Sequence, residues 1–164
     1  MSDEVLEPRA PSQSASEITE LMMPLHVNNL GNVFGGVVLS MVDKAAALAA
    51  MRHAGRPCVT VSIDRVEFNE PIYAGELVTC AAQVNYVGRT SMEVGVCVCA
   101  ENPITGRRRR TNDCYLTFVA LGPDGRPAPV RPLRLETPDE ERRFEEGKKR
   151  RAARQQLERE LEGE

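Results

Sequence analysis

The sequence predicts an α+β fold in which an antiparallel sheet wraps around one long hydrophobic helix. Residues 37–53 have the pattern of a helix that is apolar on nearly every side, which is typical of a helix buried in a core. The segments that follow alternate apolar and polar residues, as half-buried strands do. Because helix and strands are segregated along the chain, a doubly wound parallel sheet lacks the helices it would need.

Composition limits the possible classes of function. The 164 residues are one domain's worth of chain, with a net charge of -3 and only 4% aromatic residues, so we expect no nucleic-acid partner. The N-terminus has no signal pattern, and no apolar run is long enough to span a membrane, which predicts a cytoplasmic protein with no membrane partner. Five cysteines without a CxxC pair, and two histidines, favour reduced thiols and no metal site.

The chain divides into three segments. Residues 1–15, rich in Ser, Pro, Ala and Glu, are expected to form a disordered leader. The domain occupies residues 16–135. Thr137-Pro138-Asp139-Glu140 then forms a capping box that starts a helix in the charged tail, residues 136–164. This tail is open to three interpretations, namely a solvated helix, a strap between subunits of an oligomer, or a partly disordered segment.

The elements of the domain follow in order. A first strand over 17–22 ends at Pro24, and the long helix ends at Gly55 and Pro57. The next strand changes its apolar phase at Asp64-Arg65, which predicts a β-bulge there. Three longer alternating runs complete the sheet, at 78–86, 92–98 and 114–120.

Two glycines, Gly35 and Gly36, open the long helix. Backbone N–H groups at this positive end of the helix dipole, with no side chain to block approach, can stabilise the negative charge that develops on a carbonyl under attack. The alternative is that the glycines simply allow close packing of helix against sheet.

Asp43 is the unusual residue of this helix. Burying an unpaired carboxylate is expensive, and the neighbours on its helical face, Leu39, Ser40, Ala46 and Ala47, cannot neutralise it. A poorly solvated carboxylate is a stronger base or nucleophile than one in water. The alternative is an Asp that bonds to a nearby backbone amide.

Spacing separates the two features of the helix. Gly36 and Asp43 are seven residues apart, or about 10 Å along a helix axis. A reacting carbonyl must lie about 3 Å from both kinds of group. We therefore predict a composite site at a two-fold dimer interface, where the glycine end of each helix faces Asp43 of the other chain.

Several motifs, in the same order along the chain, resemble those of the hotdog-fold acyl-CoA thioesterases, especially the YciA-like and the cytosolic brain-type enzymes. The resemblance covers about residues 16–133. The residues that carry it are Asn28 to Gly36, Asp43, Val59 to Asp64, Phe68 to Ile72, Gly75, Val87 to Val94 and Thr117 to Ala120.

The resemblance implies a function and an assembly. The fold would be a hotdog, forming dimers and usually trimers of dimers, that hydrolyses acyl-CoA to free CoA and a carboxylic acid without a cofactor. Asp43 would act as general base or nucleophile, Gly36 with Gly35 would bind the thioester carbonyl, and Asn28 would position water or substrate, with the adjacent Asn29 as an alternative.

The segment Arg89-Thr90-Ser91 resembles the family's contact with the nucleotide half of CoA. Arginine and hydroxyl donors suit the phosphates of CoA. The alternative is a hairpin turn with a solvated arginine. The run Arg107 to Arg110 is a second basic candidate, although an edge strand protected by charge is the default interpretation.

Two other functions remain open. A non-catalytic acyl-CoA-binding sensor would keep the fold without turnover. A hotdog dehydratase or hydratase would need a catalytic histidine, but His26 and His53 flank the helix and are expected to serve in capping or packing.

Overall fold

The computed structural model describes residues 6–163 and contains one five-stranded antiparallel sheet and two long helices. The strand order is β1-β3-β4-β5-β2, so β1 and β2 form the edges. The α+β hotdog architecture expected from the sequence is confirmed. The elements are β1 (Ser16–Leu21), α1 (Gly35–Ala54), β2 (Cys58–Ile63), β3 (Leu77–Val87), β4 (Ser91–Glu101), β5 (Arg108–Ala120) and α2 (Pro138–Glu162).

Helix α1 packs against one face of the sheet and fills the core. Four alanines, Ala45, Ala46, Ala49 and Ala50, are fully buried along it and allow helix and sheet to approach closely. The opposite face of α1 is not covered in the single chain, where Leu48 and Met51 remain more than a third exposed. The helix ends at Gly55, whose φ of 65° is the left-handed conformation common after a helix.

Edge strand β2 departs from the expected pattern. Its register against β5 shifts between Thr60 and Ser62, so the bulge predicted at Asp64-Arg65 is wrong by about three residues. The strand ends at Ile63, and the irregular segment that follows contains Phe68. A change of apolar phase marks either a bulge or the end of a strand, and the sequence pattern does not distinguish them.

The structure also differs from the expected disordered leader. Residues 1–5 lie outside the described residues, but Arg9 pairs with the segment around Leu133 through backbone hydrogen bonds of 3.0 Å. Ala10 is buried, and Pro11–Gln13 forms a short 3-10 helix. Composition could not reveal this order, because the partner of the segment lies more than a hundred residues away.

The charged tail contains the predicted helix. The Thr137 hydroxyl accepts from the Glu140 N–H, and the Glu140 carboxylate accepts from the Thr137 N–H, which confirms the capping box. Helix α2 then packs on the outer face of the sheet, where Arg150 makes a bidentate ion pair with the buried Glu93. Its first half is therefore part of the folded domain.

All five cysteines are free thiols, and burial raises the pKa of Cys80 to about 12, so this thiol is unreactive. Within residues 6–163 no helix is long and apolar enough to cross a membrane. The same residues contain no cluster of three or more His, Cys, Asp or Glu side chains that could hold a metal ion.

Candidate active site

Asp43 lies on the third turn of α1, beneath the edge strand β2. The Thr60 hydroxyl donates a 2.7 Å hydrogen bond to Asp43 Oδ1. The expectation of a buried carboxylate without a partner is therefore wrong for the single chain, since Asp43 is half-buried and hydrogen-bonded. The reason is topological, because β2 has no neighbour on its outer side and leaves the flank of α1 open.

Thr60 is the site residue that sequence reasoning missed. Its register partner is Phe118, which is fully buried, so Thr60 faces α1 rather than the outer side of the sheet. A threonine in a strand is common and gives no signal by itself. Only the pairing of β2 with β5 shows that its hydroxyl reaches the helix.

The glycine turn at the start of α1 serves two different purposes. A methyl group added at Gly35 would lie 3.1 Å from the Phe68 ring, so this glycine allows the ring to pack closely on the start of α1. A methyl group at Gly36 would meet no atom within 4 Å. The N-cap residue Phe34 makes no side-chain hydrogen bond, which leaves the first N–H groups of the helix available to a ligand.

Asn28 is held in a defined orientation in the loop before α1. Its Oδ1 accepts hydrogen bonds from the N–H groups of Leu30 at 2.9 Å and Asn32 at 3.1 Å. The side-chain NH₂ can then donate to water or substrate. Asn28 is half-buried, while the adjacent Asn29 is exposed.

Gly36 and Asp43 are not brought together within one chain. They are seven residues apart on the continuous helix α1, a rise of about 10 Å. A shallow surface cavity contains Gly36, Ser40 and Lys44 but does not extend to Asp43. The two groups can meet on one carbonyl only if a second chain supplies one of them.

The segment Arg89-Thr90-Ser91 forms the tight connection between β3 and β4. The Gly88 N–H bonds to the Ser91 carbonyl at 2.8 Å, and the Arg89 side chain is exposed. Ser91 and Val59 both pair with Val119 of the intervening strand β5. The turn therefore lies at the same end of the sheet as the start of β2, two strand spacings or roughly 10 Å away.

The other basic candidates are largely engaged. Arg109 makes a bidentate ion pair with Glu76, and hydrogen bonding to that carboxylate raises the arginine pKa. Arg110 pairs with Asp113 in the same way. Of the 107–110 run, Arg109 is half-buried, whereas Arg107, Arg108 and Arg110 are exposed.

Both histidines make the kind of packing or capping contacts that were expected of them. His53 is fully buried, and its Nε2 lies 3.0 Å from the Arg131 carbonyl oxygen. His26 Nδ1 accepts from the Met23 N–H. His53 is ten residues from Asp43 along α1, or about 15 Å, so it cannot share a reacting group with that carboxylate.

Comparison with known proteins identifies the family. The model of the thioesterase superfamily matches residues 30–106. An uncharacterized acyl-CoA thioester hydrolase of Bacillus subtilis, YkhA, is 39% identical over 84% of this chain and 80% of its own length. The cytosolic acyl coenzyme A thioester hydrolase of Rattus norvegicus is 36% identical over 88% of this chain, but the chain spans only 38% of that protein.

Solved structures give the same result over nearly the whole chain. The acyl-CoA hydrolase of Bacillus cereus superposes with a TM-score of 0.89 at 32% identity and covers 96% of both chains. A hexameric acyl-CoA thioesterase superposes with a TM-score of 0.88 at 38% sequence identity and covers 93% of this chain and 97% of that one. The Staphylococcus aureus acyl-CoA hydrolase in complex with butyryl coenzyme A and coenzyme A superposes with a TM-score of 0.84 at 31% sequence identity. This match covers 93% of this chain and 95% of that one. The chain therefore belongs to the hotdog-fold acyl-CoA thioester hydrolases of the thioesterase superfamily.

Proposed function

We propose that this chain hydrolyses acyl-CoA to free CoA and a carboxylic acid, with Asp43 as the catalytic carboxylate of a site shared by two chains. The observation that carries the proposal is the Asp43–Thr60 pair. Asp43 is a half-buried carboxylate on an apolar helix, and the Thr60 hydroxyl of strand β2 orients it. The solved Staphylococcus aureus relative binds butyryl coenzyme A and coenzyme A, which supports the substrate class.

The chemistry requires one carboxylate and one water. As general base, Asp43 takes a proton from water, whose oxygen attacks the thioester carbonyl carbon; the C–S bond then breaks, and the CoA sulfur leaves with a proton. As nucleophile, Asp43 itself forms a bond to that carbon while the C–S bond breaks and the CoA thiolate leaves; water then hydrolyses the resulting anhydride, which frees the carboxylic acid and restores the Asp43 carboxylate. Thr60 occupies one carboxylate oxygen in either route, which leaves the other to react.

Gly36 and Asn28 are assigned to the thioester and the water. The Gly36 N–H is at the open, uncapped end of α1 and would hydrogen-bond the carbonyl oxygen as its negative charge develops. The Asn28 NH₂ would position the attacking water. Arg89, Thr90 and Ser91 would bind the phosphates of the nucleotide half of CoA.

A two-fold dimer joined along β2 would complete this site. The unpaired edge of β2 is apolar, with Val59 44% exposed and Val61 59% exposed. Leu48 and Met51 on the uncovered face of α1 extend the apolar surface. Pairing two such edges would bury this surface and bring the second chain's α1 alongside, so that each Asp43 faces the other chain's Gly36.

Free-thiol release from a panel of acyl-CoAs, from acetyl to palmitoyl, tests the activity. We expect wild type to hydrolyse at least part of the panel and Asp43→Asn to lose at least a hundredfold in kcat. Asp124→Asn is the matched control, because this exposed carboxylate accepts only a local turn hydrogen bond from the Arg126 N–H. No activity on any substrate, or full activity in Asp43→Asn, contradicts the proposal; binding without any effect of Asp43 would instead favour a sensor.

Mixing two inactive variants tests the shared site. The Asp43→Asn chain keeps the intact glycine start of α1, and the Gly36→Val chain keeps the Asp43 carboxylate. In a composite site, random reassociation should restore about a quarter of wild-type activity, since half of the dimers contain one intact site of two. Activity that stays at the level of the separate variants after confirmed subunit exchange would show that each site lies within one chain.

A further inference from the structure

Helix α2 lies on the outer face of the sheet and is directed from β3 toward β2. Its first turns contact β3, and the arginine side chains of its later turns reach β4, β5 and the residue that follows β2, while Arg151 still contacts Tyr86 of β3 at 3.4 Å. These contacts are Arg143 to Gln83 at 3.1 Å, Arg150 to Glu93 at 2.7 Å, Arg150 over the Tyr115 ring at 3.7 Å, and Arg154 to Asp64 at 2.7 Å. The helix therefore runs toward the free edge of β2.

The face of α2 that touches the sheet continues for two more turns beyond its last contact with the sheet at Arg154. Gly147, Arg150 and Arg154 lie on this face at helical spacing, and the same spacing leads next to Leu157 and Leu161. Gly147 is buried and Arg154 half-buried, whereas every described residue from 155 onward is exposed. The stripe that packs on the sheet thus ends in two leucines that are 55% and 78% exposed.

The projecting segment is long enough to reach a neighbouring sheet. Residues 155–162 add eight residues, or about 12 Å of helix, past the contact at Asp64. Since strands lie about 4.8 Å apart, this length corresponds to roughly two strand spacings. Leu157 and Leu161 are also the sole leucines of a helix that is otherwise mostly charged.

We propose that residues 155–162 form a strap that packs Leu157 and Leu161 on the outer face of a second copy of this chain. The inference rests on the proposed dimer along β2. Because the helix is directed toward that edge, a second sheet paired along β2 would lie in the path of its sheet-facing stripe. Two-fold symmetry gives each dimer two such straps.

The second copy presents an apolar surface where the strap would arrive. Antiparallel pairing of two β2 strands puts the Asp64 end of one beside the Val59 end of the other. Val59 pairs with Val119, which alternates with the buried Phe118, so both valines face the outer side of the sheet. Val59 is 44% exposed in the single chain, and packing against the leucines would cover it.

Sedimentation velocity over a dilution series tests the strap in the full-length protein. Leu157→Glu with Leu161→Glu should raise the concentration at which monomers appear by at least tenfold, because both straps lose their apolar contact. The control is Gln155→Glu with Arg159→Gln, which changes the net charge by the same amount on the opposite face of the helix and should sediment as wild type. Removal of residues 155–164 should match the leucine variant, and circular dichroism should show an intact fold in each.

The outcomes separate the strap from the dimer on which it rests. If the leucine variant has the same sedimentation distribution as wild type, the strap is wrong. The strap is also wrong if the leucine variant breaks a larger assembly into stable dimers, because the leucines would then join one dimer to another. Val61→Lys, on the β2 edge, should itself give monomers. If it does so while the leucine variant does not, the strap is wrong and the dimer stands; if it leaves the assembly intact, the β2 interface fails first.

Discussion

The hydroxyl of Thr60 donates a 2.7 Å hydrogen bond to Oδ1 of Asp43 and thereby links the edge strand β2 to the central helix α1. A carboxylate held at one oxygen keeps a fixed orientation and can react through the other. The bond also ties the proposed chemistry to the edge of the sheet where the second chain would pair.

Thr60 should therefore act as a positioning residue. Thr60→Val removes the hydroxyl while keeping the branched shape, and we expect kcat to fall by about tenfold to a hundredfold with little change in KM. Thr60→Ser retains the donor and should recover most of kcat. Thr19→Val is the control, since the Thr19 hydroxyl bonds only to that of Thr79 across strands β1 and β3. Wild-type kcat in Thr60→Val would refute this role.

The two glycines should separate packing from chemistry. Gly36→Ala adds a methyl group in open space, so the free energy of unfolding should stay unchanged or rise by up to about 1 kcal/mol. We nevertheless expect kcat/KM to fall at least tenfold, because the methyl group lies beside the N–H donors. Gly35→Ala should instead lower the melting temperature through contact with Phe68. Thermal unfolding and thiol release measure both effects, and an unaffected kcat/KM in Gly36→Ala would contradict the assignment.

His53 should make the fold sensitive to acid. Burial lowers the pKa of His53 below its usual value near 6.5, an effect to which Arg9 and Arg131 add and which the hydrogen bond to the Arg131 backbone opposes. The unfolded chain takes up the proton first, so this contribution to stability is complete above about pH 6.5 and is lost as pH falls toward the lowered pKa. Urea unfolding between pH 7.5 and 5 should show a shallower decline for His53→Gln than for wild type. Equal slopes would exclude His53 as the source.

Gly147 should control the docking of α2. A methyl group there would lie 2.9 Å from Tyr86 Cβ and 3.0 Å from Glu93 Oε1, so the helix must move away from the sheet. We expect Gly147→Ala to lower the free energy of unfolding by about 1–3 kcal/mol, even though alanine favours helices. Gly36→Ala is the matched control, since the same methyl group meets no atom there. A Gly147→Ala protein as stable as wild type would show that α2 is not closely docked.

Local patterns predicted most of the elements but not all their roles. Alternation identified β3, β4 and β5, and the Thr137–Glu140 capping box marked the start of α2. The position of the bulge in β2 and the pairing of Arg9 with the Leu133 segment were not predicted, because both depend on partners distant in the sequence. Thr60 was missed for the same reason.

The sequence by itself determined that one apolar helix carries both a glycine start and Asp43, and that these groups are too far apart to meet on one carbonyl. Helix rise is a fixed local quantity, so the spacing needs no coordinates. Only the tertiary structure decided that β2 is an open edge, that Thr60 turns toward Asp43, and that α2 reaches Asp64 at the end of that edge. Strand order and register are set by long-range pairing, which local periodicity does not encode.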